Sequence, residues 1–433
     1  MSLLFGNDRR GQYPDSWYAA TARPLPVAEP LRGHLTCDVC IVGGGYTGLS
    51  TALHLARQGA SVLLLEAHRV GFGASGRNGG QLGSGQRLDQ GTLERMVGPE
   101  AARRLWDLSQ DAKELVGELI VRHRIDAALK PGIAHACRTR AALDHEWAEA
   151  ERLHRLYGYD KLEGFDGPGI AALTGSERFV GGTLDHGAGH LHPLRFALGL
   201  ARAALKAGVR IHENTLVTGV EEGTQPLVRT EAGKVRAKAV VLAGNGYLGG
   251  LDGRVAARVM PINNFIVATE PLDDFPEILP SDVAVADSNF VVNYWRRSED
   301  NRLLFGGGES YGYRFPRDIA ALVRRPMLTI YPQLADARID CAWGGTLAIT
   351  MRRMPYFAQP RPGIWAAGGY SGHGVGMAVL AGRILSEAIG GKTGDFDLMA
   401  SVKQPAFPGG VALRMPLLAL AMTWYSLRDR LGL

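Results

Sequence analysis

A short apolar run, a helical stretch and a second apolar run follow one another near the N-terminus. Residues 39–42 are β-prone and uncharged, which is typical of a buried parallel strand. Across residues 49–56 the apolar positions recur at helical spacing, and Gly59 is placed to end that helix. Residues 62–65 then form a second apolar run. The pattern predicts a βαβ unit, the start of a parallel sheet covered by helices.

Helical and strand-like stretches continue along the chain. Residues 93–156 are rich in Ala, Leu, Glu and Arg and predict helices, and residues 196–206 predict another helix. Residues 209–211 and 237–243 are β-prone and predict further strands of the first sheet. By contrast, residues 164–190 carry glycine-rich turn signals and predict loops.

A second sheet is predicted from the middle of the chain. Strand-like runs recur there at residues 265–269, 290–294 and 303–305, whereas residues 216–240, which precede these runs, alternate like a pair of hairpin strands. The expected fold class is α/β: a Rossmann-like domain with a parallel sheet, and an α+β domain with a mixed or antiparallel sheet. The domains are expected to be discontinuous. The predicted boundaries assign residues 1–90, 190–255 and 355–433 to the Rossmann-like domain, and residues 91–189 and 256–354 to a substrate domain.

The turn after the first strand carries the first chemical signal. Residues 43–48 read GGGYTG, with Gly43, Gly45 and Gly48 in GxGxxG spacing. In such turns the first glycine allows the tight bend, the second lets the backbone approach a pyrophosphate, and the third brings helix against strand. Glu66 ends the second strand, where a carboxylate accepts hydrogen bonds from ribose hydroxyls and repels a 2′-phosphate. The unit therefore predicts a dinucleotide site that disfavours NADP.

The loop after Glu66 indicates which dinucleotide is bound. Residues 69–81 are mostly small and polar, so they cannot pack a core but can wrap a ligand with their amides. Together with the glycine turn, residues 73–81 resemble the D-amino-acid oxidase and glycine oxidase family of FAD enzymes. Their ASxRNGGQ pattern is most similar to the γ-glutamylputrescine oxidase branch. The resemblance implies FAD, two intertwined domains and oxidation of a carbon–nitrogen bond.

The resemblance assigns two later segments to the cofactor. The strand and glycine turn at residues 237–246 are expected near its phosphates, and residues 368–377 resemble the family's GxSGHG motif, which faces the isoalloxazine ring. A helix N-terminus aimed at that ring stabilises the negative charge of reduced flavin. The predicted FAD-binding residues are Gly43, Gly45, Tyr46, Thr47, Gly48, Glu66, Ala67, Gly73, Ala74, Ser75, Arg77, Asn78, Gly79, Gly80, Gln81, Val217, Ala243, Gly244, Asn245, Gly369, Gly372, His373, Gly374, Val375 and Gly376.

Four side chains are candidates for the reaction itself. His373 is expected beside the ring, either in a catalytic role or shaping its loop. Tyr294 and Arg296 share one face of a predicted strand, where Arg296 is suited to a carboxylate or a γ-glutamyl group. The alternative is a half-buried strand with a surface arginine. Trp343 is either an aromatic wall near the flavin or a core residue.

Two features of related sarcosine oxidases bear on the cofactor and the electron acceptor. Those enzymes attach flavin through a cysteine, but the matching position here is nearer Gly344 than Cys341, so non-covalent FAD is expected. They also use a lysine above the flavin to activate oxygen. This chain has no lysine between Lys238 and Lys392. Oxygen or another electron acceptor therefore remains open.

Charge and cysteine usage exclude several functional classes. The net charge of +5 and the pI near 9.0 come from scattered basic residues, without the concentrated stripe that nucleic-acid binding requires. Four cysteines are too few for a disulfide framework and fit the cytoplasm. Cys37 and Cys40 lie three apart at a strand entry, so they are expected on opposite faces and not as a redox pair.

No membrane span or metal site is predicted. The apolar stretch at residues 415–427 is too short to cross a bilayer and predicts a docked terminal helix, so membrane association is not expected. Asp185, His186, His190 and His192 have irregular spacing, which argues against a metal. His192 is instead expected to cap the next helix.

The leading interpretation is an FAD-dependent oxidoreductase acting on the C–N bond of an amine. The resemblance implies hydride transfer to flavin N5 and hydrolysis of the resulting imine to an aldehyde or keto product. A γ-glutamylputrescine-type amine is the expected substrate. Alternatives are a D-amino-acid or N-methyl amino-acid (sarcosine-like) oxidase or dehydrogenase, an NAD-dependent dehydrogenase, and a non-catalytic flavin-binding or membrane-associated subunit.

Overall fold

The computed structural model describes residues 3–409, which form two β-sheets with helices packed on them. The helices are α1 (Leu3–Gly6), α2 (Trp17–Thr21), α3 (Tyr46–Arg57), α4 (Gln90–Val97), α5 (Pro99–His123), α6 (Arg140–Tyr157), α7 (Gly167–Thr174), α8 (Pro193–Lys206), α9 (Gly253–Ala256), α10 (Ile319–Ile330), α11 (Gly374–Ile389) and α12 (Gly394–Ser401). The strands are β1 (Gly33–Val42), β2 (Val62–Leu65), β3 (Gln81–Leu82), β4 (Lys130–Cys137), β5 (Leu162–Asp166), β6 (Gly181–His190), β7 (Arg210–His212), β8 (Val217–Glu221), β9 (Leu227–Thr230), β10 (Gly233–Leu242), β11 (Met260–Pro271), β12 (Ala284–Asp287), β13 (Tyr294–Arg297), β14 (Arg302–Ser310), β15 (Ile339–Ile349), β16 (Tyr356–Arg361) and β17 (Ile364–Gly368).

The first sheet is the predicted Rossmann-like one. Its order is β16-β17-β10-β1-β2-β7, with β8 and β9 forming a hairpin attached to β10. The contacts of β1 with β2 and β10, of β2 with β7 and of β10 with β17 are all parallel. Ile41 and Leu63 are fully buried, as expected for strands covered on both faces. The expected parallel sheet is thus confirmed.

The second sheet is mixed, as predicted. Its order is β15-β11-β14-β13-β12-β4-β6-β3, with β5 paired to β6. Its pairs are antiparallel except for β12 with β4. Trp295, Phe305 and Tyr331 pack in the apolar core between this sheet and α10.

The strands of each sheet come from separated parts of the chain. The first sheet takes its strands from residues 33–65, 210–242 and 356–368, and the second from residues 81–82, 130–190, 260–310 and 339–349. Helix α5, on the substrate side of the predicted boundaries, packs against α8 and α11 in the core beside the first sheet. Each sheet is therefore discontinuous in sequence.

The loop prediction for residues 164–190 is wrong. This segment contains β5, α7 and the ten-residue strand β6. Glycine in β6 allows close approach to its neighbour, since a Cβ on Gly182 would lie 2.1 Å from the carbonyl oxygen of His135. The glycines that suggested turns therefore serve strand pairing.

Two smaller strand predictions also need correction. Residues 216–240 contain parts of three strands, and the last of these, β10, belongs to the parallel sheet. Residues 290–293 form a loop closed by Asn293, whose amide nitrogens donate to the Asp287 carboxylate at 2.7 and 2.9 Å. The strand β13 therefore begins only at Tyr294.

The two cysteines of β1 lie on the same side of the sheet, contrary to expectation. Cys37 packs against the apolar cluster that contains Cys40. The N–H groups of Asp38 and Val39 both donate to Ser61 O, at 2.9 and 3.1 Å, and this doubled contact resembles a β-bulge. The irregularity shifts the alternation of faces by one residue.

Within residues 3–409, no helix is both long enough and apolar enough to cross a membrane. The helix predicted at residues 415–427 lies outside the described residues. His192 is the N-cap of α8, as predicted, and its Nδ1 accepts a hydrogen bond from the Arg195 N–H at 3.2 Å.

A buried ion pair joins β2 to β7 and predicts a stability effect. Glu213 accepts hydrogen bonds from Arg69 Nε (2.9 Å) and Val70 N (2.8 Å), and both charged side chains are almost fully buried. The substitution Glu213→Gln leaves the Arg69 charge uncompensated and should cost about 3 kcal/mol. Thermal unfolding of the purified protein measures this loss. Glu231→Gln, which breaks an exposed pair with Arg10, is the control and should cost less than about 1 kcal/mol. Equal shifts for both variants would contradict the prediction.

Candidate active site

One cavity of about 980 Å³ extends from the glycine turn to the second sheet. Most of the predicted cofactor residues line it: Gly43, Gly45, Tyr46, Thr47, Glu66, Ala67, Gly73, Ala74, Ser75, Arg77, Asn78, Gly79, Gln81, Val217, Ala243, Gly244, Asn245, Gly372, His373, Gly374 and Val375. Segments that are distant in sequence therefore meet at one site.

The remaining four predicted glycines act from behind the cavity wall. Gly48 packs α3 on the preceding turn, where a Cβ would lie 1.9 Å from Gly43 O. A Cβ on Gly80 or Gly376 would meet Leu191 O or Leu82 Cδ1, and the Gly369 N–H donates to Asn245 Oδ1 at 2.8 Å. These positions shape the wall and do not line the cavity.

The glycine turn forms an open cradle at the N-terminus of α3. Gly45 is the N-cap residue and has no side chain to satisfy the first amides of the helix. A Cβ at Gly45 would lie 2.9 Å from Ser75 Oγ. A turn without side chains at the positive end of the helix dipole suits a pyrophosphate, so the cradle fits FAD.

Glu66 braces this cradle from the end of β2. Its Oε2 accepts from Gly44 N at 2.7 Å and its Oε1 from His68 N at 2.9 Å. Burial raises the pKa of Glu66 to about 7, although these two N–H donors oppose the rise. The carboxylate is therefore held in place, beside the turn, where a ribose is expected.

Residues 73–81 are fixed by their own hydrogen bonds. Asn78 donates to Ala74 O at 2.9 Å and accepts from Gly80 N at 2.7 Å, while Ser75 Oγ accepts from Tyr46 N at 2.9 Å. Arg77 pairs with Asp8 at 3.0 Å, but its buried Nη2 finds no acceptor among residues 3–409. Because Nη2 has almost no accessible surface area, this donor lies behind the cavity surface and is not exposed on it.

The GxSGHG segment is tied to the glycine turn. Tyr370 OH and Thr47 Oγ1 form a hydrogen bond of 2.6 Å at the N-terminus of α3. The motif leads into α11, whose N-cap residue His373 makes no side-chain cap. The first amides of α11 therefore stay available to an anionic or carbonyl group.

His373 is neutral at physiological pH. Its ring is half-buried next to Gly83, where a Cβ would lie 3.0 Å from His373 Cε1. Burial, and then the positive charge of Arg87, lower the pKa of His373 to about 4. A neutral imidazole can accept or donate one hydrogen bond but carries no positive charge to the site.

The three other candidate catalytic residues have different positions. Tyr294 lines the cavity, packs on Gly79 and donates its hydroxyl hydrogen to Asn264 Oδ1. Arg296 and Trp343 do not line the cavity and lie behind the cofactor loop instead. Arg296 Nε donates to Gly79 O at 3.1 Å, and Trp343 Nε1 donates to Arg77 O at 3.1 Å. Both therefore support the loop rather than face a substrate.

Sequence reasoning missed several charged residues of the cavity, among them Arg87, Glu309 and Arg353. Arg87 Nε donates to Ser371 O at 3.2 Å, which places it beside the GxSGHG loop. Glu309 is on β14, and Arg353 is in the turn between β15 and β16. The only sequence signal for any of these three residues was that Arg87 follows Gln81, the last residue of the cofactor loop, by six positions. No local pattern marks the other two.

Another wall of the cavity carries a hydrogen-bonded polar cluster. Tyr159 OH donates to Asp185 Oδ1 at 2.5 Å, and Lys113 Nζ donates to Ser84 Oγ at 2.6 Å. Burial lowers the pKa of Lys113. Lys113 itself does not line the cavity, but it donates to Ser84, which does. Within the described residues, no three His, Cys, Asp or Glu side chains converge as a metal site.

The cysteines are placed away from the predicted flavin site. All four are free thiols, and none lines the described cavity. Cys341, on β15, is half-buried, and burial raises its pKa. This placement supports the expectation of non-covalent FAD.

The sequence is similar to those of known oxidoreductases. Residues 38–388 match the family described as FAD dependent oxidoreductase. A probable oxidoreductase OrdL from Rhizobium meliloti (strain 1021) is 44% identical over 420 residues, covering 96% of this chain and 97% of that protein. A gamma-glutamylputrescine oxidoreductase from Escherichia coli (strain K12) is 42% identical over 427 residues, covering 97% and 99% of the two chains.

Comparison of folds agrees with the sheet topology. The structure is similar to that of glycine oxidase from Geobacillus kaustophilus, with a TM-score of 0.72 and 23% sequence identity. The match covers 83% of this chain and 95% of the other. At this identity the similarity establishes the fold.

Replacing Gly45 should abolish FAD binding. In Gly45→Val the added side chain collides with Ser75 Oγ and fills the space over the helix N-terminus where the pyrophosphate must lie. The ratio of absorbance at 450 nm to that at 280 nm measures FAD content. Gly117→Ala in α5 is the control, because a Cβ there would meet no described atom within 4 Å. An FAD-loaded, yellow Gly45→Val protein would contradict the assignment.

The affinity for FAD should fall as the pH is lowered. The ionised Glu66 accepts the ribose hydroxyls best, and its pKa is raised to about 7 in the free site. Protonation below that pH should therefore raise the Kd for FAD about tenfold between pH 8 and pH 6. Titration of the apoprotein followed by flavin fluorescence measures this change.

The control for the pH effect is Glu66→Gln, which cannot titrate. This variant should bind FAD more weakly by about 1–3 kcal/mol at pH 8 and should lose the pH dependence. If the variant and the natural protein respond identically to pH, Glu66 is not the titrating group.

Proposed function

Because the chain belongs to the family of FAD-dependent oxidoreductases, we propose that it oxidises the C–N bond of a γ-glutamyl amine, with γ-glutamylputrescine as the first candidate. The name and full-length similarity of the Escherichia coli relative support this substrate. The product is an imine, which water hydrolyses to an aldehyde. Oxygen or another carrier accepts the electrons.

One observation carries the proposal. The cavity that begins at the glycine cradle also includes His373 and a region, called the chamber below, with both acidic and basic side chains. A cofactor held at Gly45 and a substrate held in that chamber would therefore share one cavity. Such a juxtaposition is what an oxidation between bound partners requires.

The residues of the chain have defined tasks in this reaction. Gly43, Gly45 and Glu66 would hold FAD, which when bound accepts a hydride from the carbon next to the amine nitrogen. Burial in the cavity favours the neutral form of the amine, whose nitrogen lone pair is needed for the oxidation. The free amides of α11 are placed to stabilise negative charge at the N-terminus of that helix. Neutral His373 adds no charge that would repel an amine.

Oxidation of a D-amino acid or an N-methyl amino acid is the second candidate. The observation in its favour is the presence of Arg87 and Arg353 in the cavity, since guanidinium groups bind carboxylates.

The four free thiols support a reducing compartment, and we place the protein in the cytoplasm.

An anaerobic absorbance spectrum tests the proposed reaction. Addition of γ-glutamylputrescine should bleach the flavin bands, because electrons move to the cofactor and no oxygen is present to remove them. Putrescine, D-alanine and sarcosine serve as comparison substrates. Bleaching by D-alanine or sarcosine alone would contradict the γ-glutamyl assignment in favour of the second candidate. A spectrum unchanged by all four compounds would contradict amine oxidation.

A further inference from the structure

We propose that Arg87, Arg353 and Glu309 form the binding site for the α-amino-acid end of the γ-glutamyl group. The two arginines take the α-carboxylate and Glu309 takes the α-ammonium. This inference rests on the proposed function and extends it, because it names the residues that separate a γ-glutamyl amine from a bare diamine. The three side chains are called the head-group site below.

Arg87 and Arg353 differ from the buried arginines Arg69 and Arg77, because Arg87 is exposed and Arg353 is half-buried. Arg69 and Arg77 are paired with the carboxylates of Glu213 and Asp8. Among residues 3–409, neither Arg87 nor Arg353 forms an ion pair with a carboxylate, although both line the cavity. Their guanidinium groups are therefore available to a ligand carboxylate, which arginine binds in a bidentate geometry.

The two arginines line the same cavity and influence each other electrostatically. Burial, and then the positive charge of Arg353, lower the pKa of Arg87, while Glu309 opposes this effect. Arg87 is anchored by its Nε at Ser371 O, which leaves its terminal nitrogens for other acceptors. Two cations that repel each other in one chamber define a site for an anion.

Glu309 supplies the opposite charge in the same chamber. Its side chain lines the cavity, and Tyr311 OH donates to its Oε2 at 2.9 Å. Burial raises the pKa of Glu309, whereas Arg353 and Arg87 oppose that rise and favour the carboxylate. A ligand ammonium beside it would favour the ionised form further.

The backbone at Arg353 supports a functional side chain at that position. Its φ is +60°, in the left-handed region that glycine adopts without cost. Glycine would fit the turn better, yet the residue is an arginine whose guanidinium lies 5.7 Å from the ring centroid of Phe290. Phe290 also lines the cavity, so the strained residue directs its charge to the cavity wall.

The combined charge pattern matches an amino acid and not a simple amine. Two cations and one anion complement a carboxylate with a neighbouring ammonium. Putrescine carries no carboxylate, so it would leave the arginine pair uncompensated. The site therefore predicts preference for the γ-glutamyl conjugate over the free diamine.

The experiment measures binding to the FAD-loaded enzyme without turnover. The probe is L-glutamic acid γ-butylamide, which keeps the head group but has no terminal amine to oxidise. Two analogues lack one group each: 4-amino-N-butylbutanamide has no α-carboxylate, and glutaric acid monobutylamide has no α-ammonium. Isothermal titration calorimetry gives the Kd of each ligand for the natural enzyme and for Arg353→Gln, Glu309→Gln and Arg352→Gln.

Arg352→Gln is a matched control, since Arg352 is the exposed neighbour of Arg353 and does not line the cavity. Arg353→Gln should raise the Kd of the γ-butylamide at least about tenfold and should leave the Kd of the analogue without a carboxylate unchanged. Glu309→Gln should raise the Kd of the γ-butylamide but should not change the Kd of the analogue without an ammonium. Arg352→Gln should bind like the natural enzyme. FAD content, checked by absorbance, shows that each variant is folded.

Several results would overturn the head-group site. These are no binding of the γ-butylamide by the natural enzyme, unchanged binding by both cavity variants, or an equal loss for all three ligands. The proposed function is tested separately by the bleaching experiment. If γ-glutamylputrescine fails to reduce the flavin but the ligand-specific losses appear, the proposed reaction is wrong and the head-group site stands. If the flavin is reduced but the ligand-specific losses are absent, the proposed reaction stands and the head-group site is wrong.

Discussion

The close contact between α3 and the end of β1 is the constraint on which the cofactor site depends. Only a hydrogen atom fits between the two elements, because a Cβ on Gly48 would lie 1.9 Å from Gly43 O. This approach directs the N-terminus of α3 at the cavity. Glu66 then fixes the turn by accepting the N–H of Gly44, and Thr47 connects it to Tyr370 in the GxSGHG segment. A single backbone contact thus positions both predicted cofactor segments.

The second sheet completes the site by supporting the cofactor loop from behind. Arg296 and Trp343 hold the carbonyl oxygens of Gly79 and Arg77, and neither reaches the cavity. These residues are expected to matter for loop geometry, whereas Tyr294 lies at the cavity surface. Strand β13 therefore contributes Tyr294 to the cavity surface and Arg296 to the support of the cofactor loop.

Local chemistry was predictable from sequence, and long-range geometry was not. The turn at Gly43, Gly45 and Gly48 and the acid at Glu66 follow from spacing, because the phosphate site is built from consecutive elements. Arg353 and Glu309 reach the cavity only through the pairing of β11 with β14 and β15, which no local pattern reveals. Strand β6 was missed for a related reason. Its glycines allow the neighbouring strands to approach closely, and they leave no alternation of apolar and polar residues that would predict a strand.

The most direct test of the account is a crystal structure of the FAD-loaded enzyme with L-glutamic acid γ-butylamide. The account predicts the FAD pyrophosphate over Gly45 at the N-terminus of α3. It also predicts the α-carboxylate of the ligand about 3 Å from the guanidinium nitrogens of Arg87 or Arg353. A ligand whose head group lies instead against Tyr159 and Asp185, or FAD bound away from the glycine turn, would contradict it.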